Sequence, residues 1–144
     1  VVRRAVVDET RAKKGAAATA RLVKRGVLSK FEAEQRALRV VRLESELAKA
    51  QMISAQQELT SLKARFLAGE VSQPEVDAAT TAVTQASAAA QEAGAKYHKA
   101  QLDAAELNLR RQRQLLKLGS AHKSDVARAE EKLAQLQQGD EASH

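Results

Sequence analysis

Residues 65–75 read RFLAGEVSQPE, and this stretch predicts where one long helix ends and the next begins. Gly69 is expected just past a helix end, because glycine adopts the left-handed backbone conformation there without a steric penalty. Ser72 is then an N-cap, and Glu75 three residues later completes a capping box. Pro74 falls in the first turn of the new helix, where its missing N–H group costs nothing. The stretch therefore predicts a tight turn between two helices.

Residues 22–32 read LVKRGVLSKFE and repeat the pattern. Gly26 stands where the helix-ending glycine is expected, Ser29 stands at the N-cap, and Glu32 follows it by three residues. This stretch predicts a second turn of the same kind.

Residues 115–125 read LLKLGSAHKSD and contain a weaker copy. Gly119 ends a helix, and His122 with Asp125 occupies the capping positions. Histidine is not a favoured N-cap, so Ser124 is the alternative cap. Three agreeing turn signals are the most specific feature of the sequence.

Between the turns, apolar residues recur at alternating spacings of three and four, which is the seam of a left-handed coiled coil. The seam of the second helix consists of Leu38, Val41, Ser45, Ala48, Met52, Ala55, Leu59, Leu62 and Phe66. In the third helix it starts at Val76, follows the same spacing to Leu107, and passes to Leu102, Leu109 and Leu116. The fourth helix carries Val126, Ala129, Leu133 and Leu136.

These signals predict an all-α fold of antiparallel coiled-coil helical hairpins, with two long central helices flanked by two shorter ones, because short turns require antiparallel neighbours. We expect a single elongated bundle over residues 1–138 and a disordered tail over residues 139–144. The predicted helices cover roughly residues 3–24, 30–67, 73–117 and 123–138.

Two glycines and two aromatic residues stand out within or beside the predicted helices. Gly15 is a candidate end of an ordered segment, and Gly94, between two alanines, predicts a close backbone approach. Phe31 and Phe66 flank the first two turns. We expect them to plug the bundle ends, with partner contact as the alternative.

The composition argues against an enzyme. The chain has no cysteine and lacks a nucleophile elbow, a phosphate-binding loop, a dinucleotide fingerprint and a metal-binding helix motif. Its three histidines are not paired at helical spacing, so we expect no catalytic, metal or cofactor site.

No apolar run is long enough to span a membrane. Because the chain begins at Val1 without methionine, we expect a processed protein or a fragment.

The net charge of +6 is concentrated at one end of the sequence. Residues 1–30 hold nine Lys and Arg side chains against Asp8 and Glu9, a net charge of +7. Such a segment favours nucleic acid or anionic lipid, or is the solvated face of a helix. Interleaved aromatic residues for base stacking are missing, which argues against nucleic acid.

The turns resemble the helical hairpins of tripartite efflux and secretion systems. Residues 65–72, followed by residues 76–79, look like the helix–turn of TolC-type outer-membrane channels. Residues 107–119, followed by residues 125–129, look like the hairpin of HlyD-type periplasmic adaptors. The resemblance implies a periplasmic, non-enzymatic coiled coil with an outer-membrane channel or an inner-membrane transporter as partner.

In the adaptors, the hairpin tip carries Arg, then Leu four residues on, then Ser seven further, and this tip docks onto the channel. Arg111 and Leu115 match at the third turn, where His122 replaces the serine. At the first turn, Leu22 and Ser29 match the leucine and the serine, and Ala18 replaces the arginine. At the second turn only Ser72 matches, because Ser61 stands at the arginine position and Arg65 at the leucine position. The resemblance implies that these residues form partner-binding tips.

Three functions remain open from the sequence. The first is a module that docks to protein partners in an envelope assembly. The second is a structural or homo-oligomerising coiled coil without tip recognition, with a cytoplasmic location as the alternative. The third is a basic surface for nucleic acid or anionic lipid.

Overall fold

The computed structural model describes residues 1–26 and 29–141, and all regular structure within them is helical. The helices are α1 (Val2–Lys24), α2 (Lys30–Leu67), α3 (Gln73–Lys117) and α4 (Lys123–Glu141). Their lengths of 23, 38, 45 and 19 residues confirm the predicted all-α fold with two long central helices and two shorter flanking ones. Below, the connecting segments are called turn 1 (residues 25–29), turn 2 (68–72) and turn 3 (118–122).

The predicted seams are the inward faces of the helices. In α2, every seam residue except Phe66 is buried or half-buried, including the single polar one, Ser45. The four seam residues of α4 are also buried or half-buried. Four of the seven buried apolar residues among those described are alanines, so many small apolar contacts hold the helices together with Leu43, Val76 and Leu109.

Contacts across α1 and α2 show that these two helices are antiparallel. The Arg36 guanidinium donates to the Thr19 hydroxyl at 2.9 Å, and Lys13 pairs with Glu44 at 2.9 Å, so residues further along α1 meet residues earlier in α2. Hydrogen bonds from Lys13 to Glu9 and Glu44 raise the pKa of its ammonium group. Thr19 is buried and also donates to the carbonyl of Gly15 at 2.7 Å.

The chain divides into two compact units, Val1–Ala95 and Lys96–His144. In the second unit, Arg113 of α3 pairs with Glu130 of α4 at 2.8 Å across turn 3. Leu109 there is buried and Leu102 and Leu116 are half-buried, as the seam shift in α3 predicts. The single bundle over residues 1–138 stays a prediction.

Three local expectations are wrong. Helix α1 continues through Gly15, whose carbonyl accepts the Thr19 hydroxyl. Gly94 marks no close approach, because a Cβ atom built there meets nothing within 4 Å. Residues 139–141 belong to α4 and not to a tail, since glutamines in the preceding turn favour continued helix. Residues 142–144 lie outside the described part of the chain.

Candidate functional site

Turn 2 is closed by two backbone hydrogen bonds around a glycine in the left-handed conformation. Gly69 has φ 75°, its N–H donates to the carbonyl of Phe66 at 2.9 Å, and the N–H of Glu70 donates to the carbonyl of Arg65 at 2.9 Å. This pair of bonds is the Schellman motif, which satisfies carbonyls left over at a helix end. The glycine signal read from the sequence therefore sits where the backbone requires it.

Turn 3 has the same backbone arrangement. Gly119 has φ 76°, its N–H donates to the carbonyl of Leu116 at 3.0 Å, and the N–H of Ser120 donates to the carbonyl of Leu115 at 2.8 Å. Turns 2 and 3 thus have the same backbone conformation and carry different side chains.

Turn 1 shares the glycine and has the complete cap. Gly26 has φ 71° and donates to the carbonyl of Val23 at 3.0 Å. The Ser29 hydroxyl accepts from the N–H of Glu32 at 3.2 Å, and the Glu32 carboxylate accepts from the N–H of Ser29 at 3.0 Å. The predicted capping box at the start of α2 is confirmed.

The cap of turn 2 is held through the glutamate. The Glu75 carboxylate accepts from the N–H of Ser72 at 2.7 Å and from its hydroxyl at 2.9 Å. The N–H of Glu75 donates to the backbone carbonyl of Ser72 and not to its hydroxyl, so the glutamate half of the predicted box is formed and the serine half is not. The bonds from the serine N–H and hydroxyl lower the pKa of Glu75, and the equivalent bonds lower that of Glu32.

His122 is the residue before α4, and Ser124 does not take that place. The Asp125 carboxylate accepts from the N–H of His122 at 2.9 Å, which reproduces the acidic half of the box. Asp125 also pairs with Arg128 at 2.9 Å. The alternative cap at Ser124 is wrong, because the acid three residues after His122 satisfies the free N–H first.

Large apolar side chains are exposed at turns 2 and 3. Leu67 is 86% exposed and Leu118 is 71% exposed, more than any other large apolar side chain within the described residues except the terminal Val1. The sequence analysis missed both leucines, because they lie off the heptad seam and no motif includes them. Their position within two residues of a helix-ending glycine is the signal that could have identified them.

Phe31 and Phe66 do not plug the ends of the helices. About half of Phe31 is exposed, and Phe66 is exposed although it continues the α2 seam. Phe66 lies in the last turn of α2, which ends at Leu67. The plugging expectation is wrong for both residues.

The predicted tip residues fall into three separate groups, one at each turn. At turn 3, Arg111 is half-buried on α3, Leu115 is partly exposed and His122 is exposed. At turn 1, Leu22 is half-buried and the Ser29 hydroxyl belongs to the cap.

At turn 2, both predicted tip residues bond within the turn. The Arg65 guanidinium donates to Glu70 at 3.2 Å, and Ser72 bonds to Glu75. Both residues are exposed, but their polar atoms are engaged in hydrogen bonds within the turn.

The charges around turns 2 and 3 have opposite sign. Residues 65–75 contain Arg65, Glu70 and Glu75, a net charge of −1. The equivalent residues 115–125 contain Lys117, Lys123 and Asp125, a net charge of +1, and both lysines are exposed. An apolar tip flanked by cations suits an acidic partner surface.

Among residues 1–26 and 29–141, no cluster of three His, Asp or Glu side chains is arranged to hold a metal ion. Within the same ranges, no helix has the length and hydropathy needed to cross a bilayer.

The chain matches no protein-family model, and neither a curated protein nor a solved structure matches it. The likeness to efflux and secretion hairpins stays a prediction, carried by the turn residues.

Proposed function

We propose that the chain is a non-enzymatic docking module that presents its helix–turn tips to protein partners in a cell-envelope efflux or secretion assembly. The observation that carries the proposal is the exposure of Leu118 and Leu67 beside capped turns. Exposed leucines at a turn lose favourable burial unless a partner covers them. Turn 3 is the primary tip, because its apolar residues are flanked by cations.

The rigidity of the turns supports docking. Two Schellman hydrogen bonds hold Gly119 and Ser120, and a carboxylate bond holds His122. A surface already ordered before binding loses less conformational entropy when a partner covers it. Leu115 and Leu118 would then insert into apolar depressions of an acidic partner surface, with Lys117 and Lys123 at the rim.

The resemblance to adaptor hairpins indicates the class of partner. Arg111 and Leu115 stand where the adaptor tip carries its arginine and leucine, so an outer-membrane channel is the first candidate and an inner-membrane transporter the second. The proposed location is extracytoplasmic.

Substitution of exposed leucines tests the proposal. Leu115→Ala and Leu118→Ser should each weaken binding to an envelope partner, recovered by pull-down and measured by surface plasmon resonance, by about ten-fold. Leu107→Ala is the matched control, because Leu107 is on the same helix and is 36% exposed against 39% for Leu115. Circular dichroism checks that helicity is unchanged. Equal binding by all three variants and the unsubstituted chain contradicts tip docking.

A structural or homo-oligomerising coiled coil is the second candidate, in either compartment. Residues 78–91 of α3 contain no charged side chain, and many of them are exposed alanines, threonines and glutamines. Small uncharged side chains allow a second helix to approach closely. Light scattering on dilution distinguishes the candidates: salt-insensitive self-association that Ala88→Glu abolishes favours oligomerisation, and a monomer at all concentrations eliminates it.

A further inference from the structure

The outer surface of α1 carries a line of exposed basic side chains. All six members of this α1 basic stripe are exposed, and within the part of the chain that the structure describes none of them forms an ion pair. The α1 basic stripe consists of Arg3, Arg4, Arg11, Lys14 and Arg21 of the helix and of Arg25, the residue that caps its C-terminus. They extend over roughly 33 Å, at about 1.5 Å rise per residue.

The acids of α1 are less exposed than the stripe, although Asp8 lies one helical turn from Arg4 and from Arg11. Asp8 and Glu9 are the only acids in the helix, and both are half-buried. Glu9 pairs with Lys13, which also pairs with Glu44 of α2. The fold therefore pairs Glu9 with Lys13 beside α2 and leaves the six exposed cations without an ion pair among the described residues.

Exposed valines are interspersed with these cations. Val7 is 55% exposed and lies one helical turn from Arg3 on one side and one turn from Arg11 on the other, so all three share a line along the helix. Val6 and Val1 are also exposed. Val7 therefore lies within the line of cations near the N-terminal end of the stripe.

We propose that the α1 basic stripe binds the surface of an anionic lipid bilayer, with Val6 and Val7 entering the headgroup region. A helix in this position pairs its cations with lipid phosphates and places short apolar side chains at the acyl boundary. A nucleic acid would use the cations but would leave the valines in water, and α1 carries no aromatic side chain for stacking bases. The lipid surface uses both features.

Vesicle sedimentation of the full chain tests this surface. The probes are vesicles of phosphatidylcholine alone and of phosphatidylcholine mixed with phosphatidylglycerol. The chain should bind the anionic vesicles at low salt, lose binding at high salt, and ignore the neutral vesicles. No binding to anionic vesicles at low salt overturns the proposal, as does binding to duplex DNA without vesicle binding.

Charge-matched variants separate a specific surface from net charge. The combination Arg3→Gln, Arg11→Gln and Lys14→Gln should lower the vesicle partition coefficient by roughly 100-fold. The control combination Arg39→Gln, Lys49→Gln and Lys63→Gln removes the same charge from exposed positions of α2 and should change it only a few-fold. Equal losses from the two combinations overturn the proposal, because binding would then follow net charge alone.

A valine variant provides an independent check if the basic substitutions disturb α1. Val6→Ser with Val7→Ser keeps every charge and should reduce partitioning several-fold with unchanged helicity by circular dichroism. Partitioning equal to that of the unsubstituted chain overturns the insertion of these valines.

Discussion

Turns 2 and 3 have the same backbone and different surfaces. Both place a glycine near φ 75° and close the preceding helix with the same two hydrogen bonds. In turn 2, Arg65 lies four residues before the glycine and forms an ion pair with Glu70 directly after it. Turn 3 has Leu115 and Ser120 at these two positions. The backbone geometry of a turn is therefore independent of the side chains that the turn exposes. The geometry does not indicate which turn binds a partner.

Substitution of the turn glycines should cause the largest loss of stability, and the loss should be equal at turns 2 and 3. Gly69→Ala and Gly119→Ala each introduce a Cβ atom at positive φ, which costs about 1–2 kcal/mol of stability. Urea denaturation followed by circular dichroism measures the loss. Gly94→Ala is the control: it lies inside α3 in open space and should stabilise by about 1 kcal/mol. A neutral result at either turn glycine would show that its backbone is not held as described.

The caps should distinguish the turns. Ser72→Ala removes a hydroxyl that bonds to Glu75 and should destabilise the chain by about 1 kcal/mol. His122→Ser supplies turn 3 with the hydroxyl that it lacks and should stabilise by a similar amount, about 0.5–1 kcal/mol. Thermal unfolding of both variants measures the opposite signs. Destabilisation by His122→Ser would mean that the histidine side chain contributes to turn 3 in another way.

Acid should weaken turn 2 through Glu75. Bonds from the N–H and hydroxyl of Ser72 hold the pKa of Glu75 below its ordinary value of 4.5. A depressed pKa in the folded state stabilises above the unfolded value, and this contribution is lost as pH falls below about 4.5 toward the folded value. Glu75→Gln keeps an amide oxygen for the hydrogen bond but does not titrate, so its stability should fall less on acidification.

Glu58→Gln, which removes an exposed carboxylate of α2 outside the turn, is the control for this titration. The measurement is urea unfolding at a series of pH values. Identical pH profiles for Glu75→Gln and the unsubstituted chain contradict the assignment.

Removal of the Arg65–Glu70 ion pair of turn 2 should cause the smallest loss of stability. Arg65 and Glu70 are both more than half exposed, so Arg65→Ala should cost about 0.2–1 kcal/mol, and salt should reduce the difference. Leu115→Ala at the equivalent place in turn 3 should change stability without salt dependence. Denaturant unfolding at low and high ionic strength compares the two. A salt-independent loss at Arg65 would assign its role to packing.

The turns and seams were predictable because their signals are local. The observed helices α2 and α3 end two residues before Gly69 and Gly119, and three- and four-residue spacing identified the inward faces of α2 and α4. The spacing of apolar residues and the glycine after a helix end involve residues that are close together in the sequence. Both signals can therefore be read without knowing the fold.

The surface of the tips was not predictable in the same way. Leu67 and Leu118 are apolar, and composition alone suggests burial, whereas exposure depends on what the rest of the chain covers. The bond between Arg65 and Glu70 depends on the Schellman geometry, which brings together residues five apart in sequence. Buried Thr19 was missed because its hydroxyl, which donates to Gly15 four residues earlier, also accepts from Arg36 of α2, a contact between helices that no local pattern reports.

A distance measurement across Gly69 tests the central claim, that punctuated turns fold these helices back on themselves. The chain contains no cysteine, so Lys49→Cys and Gln91→Cys allow spin labels at two exposed sites of the first unit. In a hairpin the labels sit on neighbouring helices whose axes are about 10 Å apart. A helix continuing through Gly69 would separate them by about 63 Å. Labels at positions 49 and 63 of α2, about 21 Å apart, calibrate the measurement. Electron–electron double resonance should report the short distance, and the long one would contradict the account.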